Sequence, residues 1–426
     1  MKRFMRGLLE YFKKNIYMFA VVTKIVLLMT GIIANSLCAR FLGQYYKGIS
    51  SYISSILSVV VIIAVFGMHQ AYPYYRRELG KAFIKSYYGA VQLVVVMYSV
   101  IAVFVCVKFS IFSTTGMVAV LSPIMVYAKM ISYSALVEKP GMRNVIELSV
   151  SVIDIIVVLL LYLFTVPNMQ WLLLILALKY LLEIFFYSKI QCVKLRISLS
   201  SAVYLKEMVI FGFIPMISQV MTNLNYRIDV FMLKRFTTLE EIGVYSVGVS
   251  LVEQCWIIPE TVRDILVSRL VNGKKEEEVA AVIRISNTIV CIVAILIILL
   301  GKVVISILYG KEFIMAYPVA VIELIGVLGM VSMKMVSTYN IVLNNQKINL
   351  IFMIIGILIN VFINSMLIPL WGINGAAIAT LISYTVNGIL FVAYFVGKNA
   401  VPIKDVLIIN KNDVQKFIAG LKKTYK

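Results

Sequence analysis

The sequence is poor in charge. Only 14% of its 426 residues are Asp, Glu, Lys or Arg, against about a quarter in soluble globular chains. Too few polar groups remain to solvate the surface of an ordinary cytosolic enzyme, to keep the chain disordered, or to flank a coiled coil. Histidine is confined to His69, and the five cysteines (Cys38, Cys106, Cys192, Cys255 and Cys291) are scattered with no CxxC pair. Neither a zinc site nor a disulfide framework follows from that pattern. There is no Gly-rich phosphate loop and no cluster of metal ligands, so no cofactor or metal is expected. Acids are half as numerous as bases, 20 against 40, for a formal charge of +20. In a soluble protein that excess would suggest nucleic acid. In a membrane protein it is the ordinary content of cytoplasmic loops, and nucleic acid is not expected as a partner.

What the sequence does have is apolar residues, 62% of the chain, gathered into long runs. A helix needs about 20 mostly apolar residues to cross the hydrocarbon core. Twelve such windows fall at 16–37, 48–69, 87–107, 111–133, 145–166, 169–189, 207–232, 242–265, 284–307, 317–341, 348–369 and 372–396. The first run is too long for a signal-peptide core and lacks an Ala-x-Ala-like cleavage site, so it reads as retained. With the N-terminus inside, the cytoplasmic segments hold 28 of the 40 Lys and Arg residues, the opposite face holds seven, and five lie within spans. That bias places both termini in the cytoplasm of a multi-pass inner-membrane protein. The basic tail, residues 397–426, reads as an anchor on anionic headgroups, or as a helix that docks a partner.

The chain also carries an internal echo. Arg40-Phe41 precedes Gly48 at the same spacing at which Arg235-Phe236 precedes Gly243, 195 residues later, and Ser51 and Ser246 follow. Arg143-Asn144 and Lys347 with Asn349 repeat at an offset of 205. Six spans precede the second copy, so the halves are parallel repeats: an N-terminal lobe over 1–200, a C-terminal lobe over 201–396 and the tail over 397–426. Parallel repeats in transporters commonly hold the substrate near the midplane.

Several motifs resemble one family. The run Ala39-Arg40-Phe41-Leu42-Gly43 through Gly48, then Gly67, resembles the first hairpin of oligosaccharide flippases of the multidrug/oligosaccharidyl-lipid/polysaccharide exporter superfamily. Pro215, Asp229, Gly243, Tyr245-Ser246 and Pro259 resemble the first hairpin of its second half. Asn360, Leu367-Ile368-Pro369 and Gly372 through Thr380 resemble its eleventh and twelfth spans. The resemblance covers roughly residues 16–396. It implies an all-α protein of twelve transmembrane helices in two parallel six-helix lobes around a central cavity lined by spans 1, 2, 7 and 8. It implies a polyprenyl-diphosphate-linked glycan as cargo, with polysaccharide polymerase and glycosyltransferases as neighbours in the process and membrane lipids around it.

Ionisable side chains within spans cost about 2.5–3.5 kcal/mol each on insertion scales, so those present should face a polar cavity or one another. Lys24 lies in span 1, Arg227 and Asp229 in span 7 and Glu253 in span 8. Lys24 and Arg227 are expected to hold the diphosphate, Arg as a planar fork and Lys as a point charge. The alternative is ion pairing, Lys24 with Glu253 and Arg227 with Asp229. Lys334 in span 10 and Lys129 in span 4 extend the basic set, although Lys129 is close enough to the interface to snorkel. Asp229 matches an acid of the family and, with Glu253, Asp154 and Glu323, is either an ion-coupling group or a structural partner. Lys179 and Glu183 are placed to pair along one helix face. His69 reads as an interfacial hydrogen-bonded residue, and Tyr226 and Tyr245 as rings that sugars can stack on. Pro215, Pro259 and Pro318 are candidate bending points, and Gly326 and Gly329 permit close helix contact.

Two other functions compete. An enzyme that polymerises or transfers glycans would need paired acids or a base held where acceptor and donor meet. The loop over 38–47 has none, and Glu240 and Glu241 read as acids at a helix start. A multidrug exporter of the same superfamily would favour an acidic, cation-poor cavity. A lipid-linked peptidoglycan precursor flippase is a third possibility, whose relatives usually carry more spans.

Overall fold

The computed structural model describes residues 16–193, 204–271, 276–343 and 345–407. Among them the chain is helical, without strands. Hydrocarbon dictates this, because each backbone N–H and C=O must find its partner within the crossing segment. In order, the helices are α1 (Ile16–Val65), α2 (Met68–Leu79), α3 (Ala82–Lys108), α4 (Thr114–Glu138), α5 (Pro140–Phe164), α6 (Met169–Gln191) and α7 (Leu205–Phe236). They continue with α8 (Leu239–Glu253), a 3₁₀ turn (Gln254–Trp256), α9 (Ile257–Val271), α10 (Glu276–Leu308), a second 3₁₀ turn (Lys311–Phe313), α11 (Ala316–Val342), α12 (Gln346–Asn399) and α13 (Ile403–Leu407).

Nine of the helices among the described residues are long and apolar enough to cross a membrane. Two of these are double. At 1.5 Å per residue, α1 and α12 would be roughly 75–80 Å long if straight, more than twice the hydrocarbon thickness. Each instead turns at a glycine: Gly43 in α1 has φ 64° and ψ −180°, and Gly372 in α12 has φ 53° and ψ −130°. Only glycine takes such angles without a Cβ clash. The helix pair α8–α9, interrupted by its 3₁₀ turn, stands where the sequence places span 8, so the described residues account for the twelve expected spans.

The expected spans therefore recur with small shifts, but two expected connections do not. Residues 38–47 are helical on both sides of Gly43 rather than an outer loop, and Lys47, assigned above to that loop, is buried and donates to Asn35 Oδ1 at 2.6 Å. The stretch 369–373 is likewise a bend within α12. Of the basic tail, residues 408–426 lie outside the described residues, as do residues 1–15.

The chain divides into two compact units, Met1–Val220 and Met221–Lys426, and the division falls inside α7. In the first unit α4 is central, touching α1, α2, α3, α5 and α6. Its core joins Val65, Tyr72, Phe83, Tyr87, Met130 and Tyr187. Glu138 at the end of α4 accepts from Arg76 Nε at 2.7 Å and from the Tyr72 hydroxyl at 2.9 Å, which ties α2 to α4. His69, expected to be hydrogen-bonded, is buried: its ring meets Tyr133 edge-on at 4.9 Å, and Nδ1 has no hydrogen-bond partner among the described residues. The expected Lys179–Glu183 pair acts across space without a direct ion-pair contact, and Arg143–Glu147 on α5 forms an i,i+4 pair at 2.8 Å.

In the second unit α11 is central, packed against α8, α9, α10 and α12. The close approach of α11 and α12 depends on missing side chains. A Cβ on Gly329 would lie 2.4 Å from the Tyr384 carbonyl, and one on Gly326 would lie 3.0 Å from the Leu381 Cα. Large side chains elsewhere point outward: Phe104 is 73% and Val107 83% exposed. That arrangement suits a lipid surround and would be a liability in water.

Substituting Gly329→Ala is expected to force α11 and α12 apart, at a cost of about 1–3 kcal/mol typical of overpacking, and to lower the thermal midpoint of the detergent-solubilised protein. Gly397→Ala, whose Cβ would meet nothing within 4 Å, should leave the midpoint unchanged. Equal midpoints for the two variants would contradict this account of the packing.

Candidate functional site

The ionisable residues of the second unit meet where α7, α8, α9 and α11 come together. The start of α8 explains how its acids are held. Thr238 accepts from the Glu241 N–H at 3.3 Å, and Glu241 Oε2 accepts from the Thr238 N–H at 3.1 Å, a reciprocal capping box. Glu240 and Glu241 thus sit at a helix start, and Glu253 ends the same helix.

Arg227 and Glu253 form an ion pair, Nη2 to Oε1, at 3.1 Å. The oxygen is not met by a directed N–H, so the contact is charge to charge. This corrects the expected Arg227–Asp229 pairing. Arg227 is joined to Glu253 and not to Asp229, because residues two apart on a helix project in different directions. Asp229 instead turns inward, is 4% exposed, and takes the Tyr245 hydroxyl at Oδ2 and the Val230 N–H at Oδ1. The side chain of Lys24 lies outside the described residues.

The Tyr245 hydroxyl also lies 2.9 Å from Glu323 Oε1. Tyr245, Asp229 and Glu323 are all buried. One hydroxyl has one proton to donate, so both carboxyls are satisfied together only when one of them carries a proton. Tyr245, read from the sequence as a ring for sugars to stack on, is thus a bridge between two acids on α7 and α11.

Two turns beyond Glu253, Glu260 on α9 accepts from Lys334 Nζ at 3.1 Å. Lys334 is 9% exposed and Glu260 50%. The Lys334 ammonium rests 4.4 Å from the centre of the Trp256 ring and 6.0 Å from that of Tyr226, within cation–π reach. Tyr226 and Trp256 are themselves 4.6 Å apart. The indole Nε1 of Trp256 is buried without a hydrogen-bond acceptor among the described residues.

Deeper in α12, Asn364 donates to Asn360 Oδ1 at 2.6 Å, and Ser383 donates to the Gly356 carbonyl at 3.0 Å. Asn360 Nδ2 and Asn364 Oδ1 remain unpartnered among the described residues.

Of the residues chosen from sequence, the structure brings Arg227, Glu253, Asp229, Glu323 and Lys334 into the second unit. Asp154 and Lys129 lie in the first, on α5 and α4, both half-buried, and Asp154 Oδ1 has no hydrogen-bond partner among the described residues. Sequence reasoning missed Glu260 and Trp256. The seven-residue interval between Glu253 and Glu260, two turns on one face, is the signal that marks the former. No group of three or more His, Cys, Asp or Glu able to hold a metal occurs among the described residues.

No family model matches the chain, and no curated protein matches it. Solved structures do. A structure described as the lipid II flippase MurJ in an inward closed conformation is 15% identical, with a TM-score of 0.72 over 91% of this chain and 89% of that one. An inward-facing multidrug resistance MATE family transporter of the MOP superfamily is 13% identical, with a TM-score of 0.69 over 89% of this chain and 98% of the other. A MOP superfamily transporter from Pyrococcus furiosus Vc1, described as having a binding pocket of reverse polarity, is 13% identical, with a TM-score of 0.56 over 89% and 95% of the two chains. The chain shares the fold of these solved transporters, as the motifs of the first hairpin and of the eleventh and twelfth spans implied.

Removing the hydroxyl with Tyr245→Phe leaves two buried carboxyls without their shared donor. The expected loss is about 1–3 kcal/mol of stability, read as a lower thermal midpoint in detergent. An unchanged midpoint would mean that the bridge contributes nothing.

Proposed function

We propose that the protein flips a polyprenyl-diphosphate-linked oligosaccharide across the cytoplasmic membrane by alternating access, in the synthesis of a surface polysaccharide. The observation that carries this reading is the pair of basic groups, Arg227 and Lys334, held within the membrane-spanning helices of a chain with this fold. The isoprenoid tail of such a cargo can stay in the lipid, while the diphosphate needs charge-assisted donors to leave water. Arg227 offers a fork and Lys334 a point charge, and Lys24 and Lys129 are proposed to contribute from the other half. Tyr226 and Trp256 offer rings to the saccharide. The likeness to a structure described as a lipid II flippase supports a lipid-linked cargo. The two halves, 1–200 and 201–396, are proposed to rock against each other, with both termini in the cytoplasm and the polymerase and glycosyltransferases of the pathway acting before and after. The proposed role is transport, not catalysis.

A second reading, export of cationic drugs, is favoured by one observation, the Asp229–Tyr245–Glu323 cluster, whose acids could hold a cation in exchange for a proton. The two readings differ in the sign of the charge carried.

In a strain deleted for the gene, a lipid-linked saccharide is expected to accumulate on the inner leaflet, and the wild-type gene to clear it. Lys24→Ala and Arg227→Ala, inserted at normal levels, are expected to clear at least tenfold less. Normal clearing by both variants would remove the site assignment; no accumulation together with increased sensitivity to cationic dyes would favour the drug exporter.

A further inference from the structure

Each basic group of the second unit that the transport reading assigns to the diphosphate is already occupied. Arg227 is held by Glu253 and Lys334 by Glu260, both at 3.1 Å. A diphosphate cannot add to these cations without taking the place of a carboxylate. The geometry points to Glu253 and Glu260 as resident counter-anions that the cargo's diphosphate displaces on binding and that displace it again on release. This rests on the reading given under Proposed function and names how that site loads and empties.

Four observations carry it. First, the two pairs are unequal in burial: Lys334 is 9% exposed and Glu260 50%. The half-exposed acid can turn away from the pair, whereas the buried ammonium cannot be left unpaired, so the pair opens only when another anion arrives. Second, the Arg227–Glu253 contact lacks a directed hydrogen bond to Oε1, which leaves the guanidinium fork free to align with a better acceptor. Third, the two acids sit on either side of the Gln254–Trp256 turn, Glu253 closing α8 and Glu260 in the first turn of α9. A 3₁₀ stretch between two α-helices is a natural hinge, and it lets the acids move separately. Fourth, Trp256 on that turn packs its face against Lys334 and buries an indole N–H with no acceptor among the described residues. A diphosphate brings the acceptors that neither carboxylate supplies to that group.

The test uses the full-length protein with Trp171 and Trp371 replaced by Phe, so that Trp256 is the remaining indole reporter. Farnesyl diphosphate is titrated in detergent, with farnesol as the uncharged control, and Trp256 fluorescence is followed. Glu253→Gln and Glu260→Gln are expected to bind farnesyl diphosphate at least tenfold more tightly than the parent, Glu260→Asp to bind as the parent does, and Arg227→Ala to lose binding. Glu240→Gln, the same charge change at an exposed helix start, is expected to have no effect. In flipping assays Glu260→Gln should turn over more slowly despite its affinity, because release lacks its competitor. If the parent binds and Arg227→Ala does not, yet neither Gln variant binds more tightly, the exchange is overturned and the transport reading stands. Equal tightening by Glu240→Gln also overturns it, as a bulk charge effect. If neither the parent nor any variant binds the diphosphate, both fall.

Discussion

A charge inside a bilayer must have a partner, and this constraint organises the second half of the molecule. α11 is the most buried of the spans among the described residues and carries both Glu323 and Lys334. Each reaches a different neighbour: Glu323 finds Tyr245 on α8, and Lys334 finds Glu260 on α9. The helix is therefore fastened to its neighbours at two heights by polar contacts, while glycines bring α12 against it elsewhere. Because hydrocarbon offers no hydrophobic drive for helices to associate, such contacts and close backbone packing have to supply the specificity.

The same constraint separates two kinds of site. Arg227–Glu253 and Lys334–Glu260 each balance a cation with an acid that retains some exposure. Asp229, Tyr245 and Glu323 have almost none, and a hydroxyl, not an ion pair, joins the two acids. The two sets share helices α7, α8 and α11, and a single residue separates Arg227 from Asp229.

The spans were legible because hydrophobic length is a local property; the windows needed only modest changes at their ends. The connections were less so. Gly43 and Gly372 turn the chain within one residue, and a search for polar loops passes over such a turn, assigning Lys47 to a surface it does not occupy. The site was legible by residue type and not by partner. Insertion cost marks Arg227, Asp229, Glu253, Glu323 and Lys334 as residues that need neighbours, but which neighbour depends on helix rotation and on contacts 74 to 78 residues apart. Tyr245 was misread for the same reason, since an aromatic residue on a span gives no local sign of whether its ring or its hydroxyl matters.

The glycine turns have a practical consequence for mapping the protein. Topology is commonly probed by splicing an epitope or a protease site into a connection and asking from which side it can be reached. Residues 109–113 and 165–168 are already largely non-helical and offer room for such an insert. At Gly43 and Gly372 there is no slack: any added residues must unwind a paired helix, so a silent tag at either place would report a damaged protein and say nothing about sidedness.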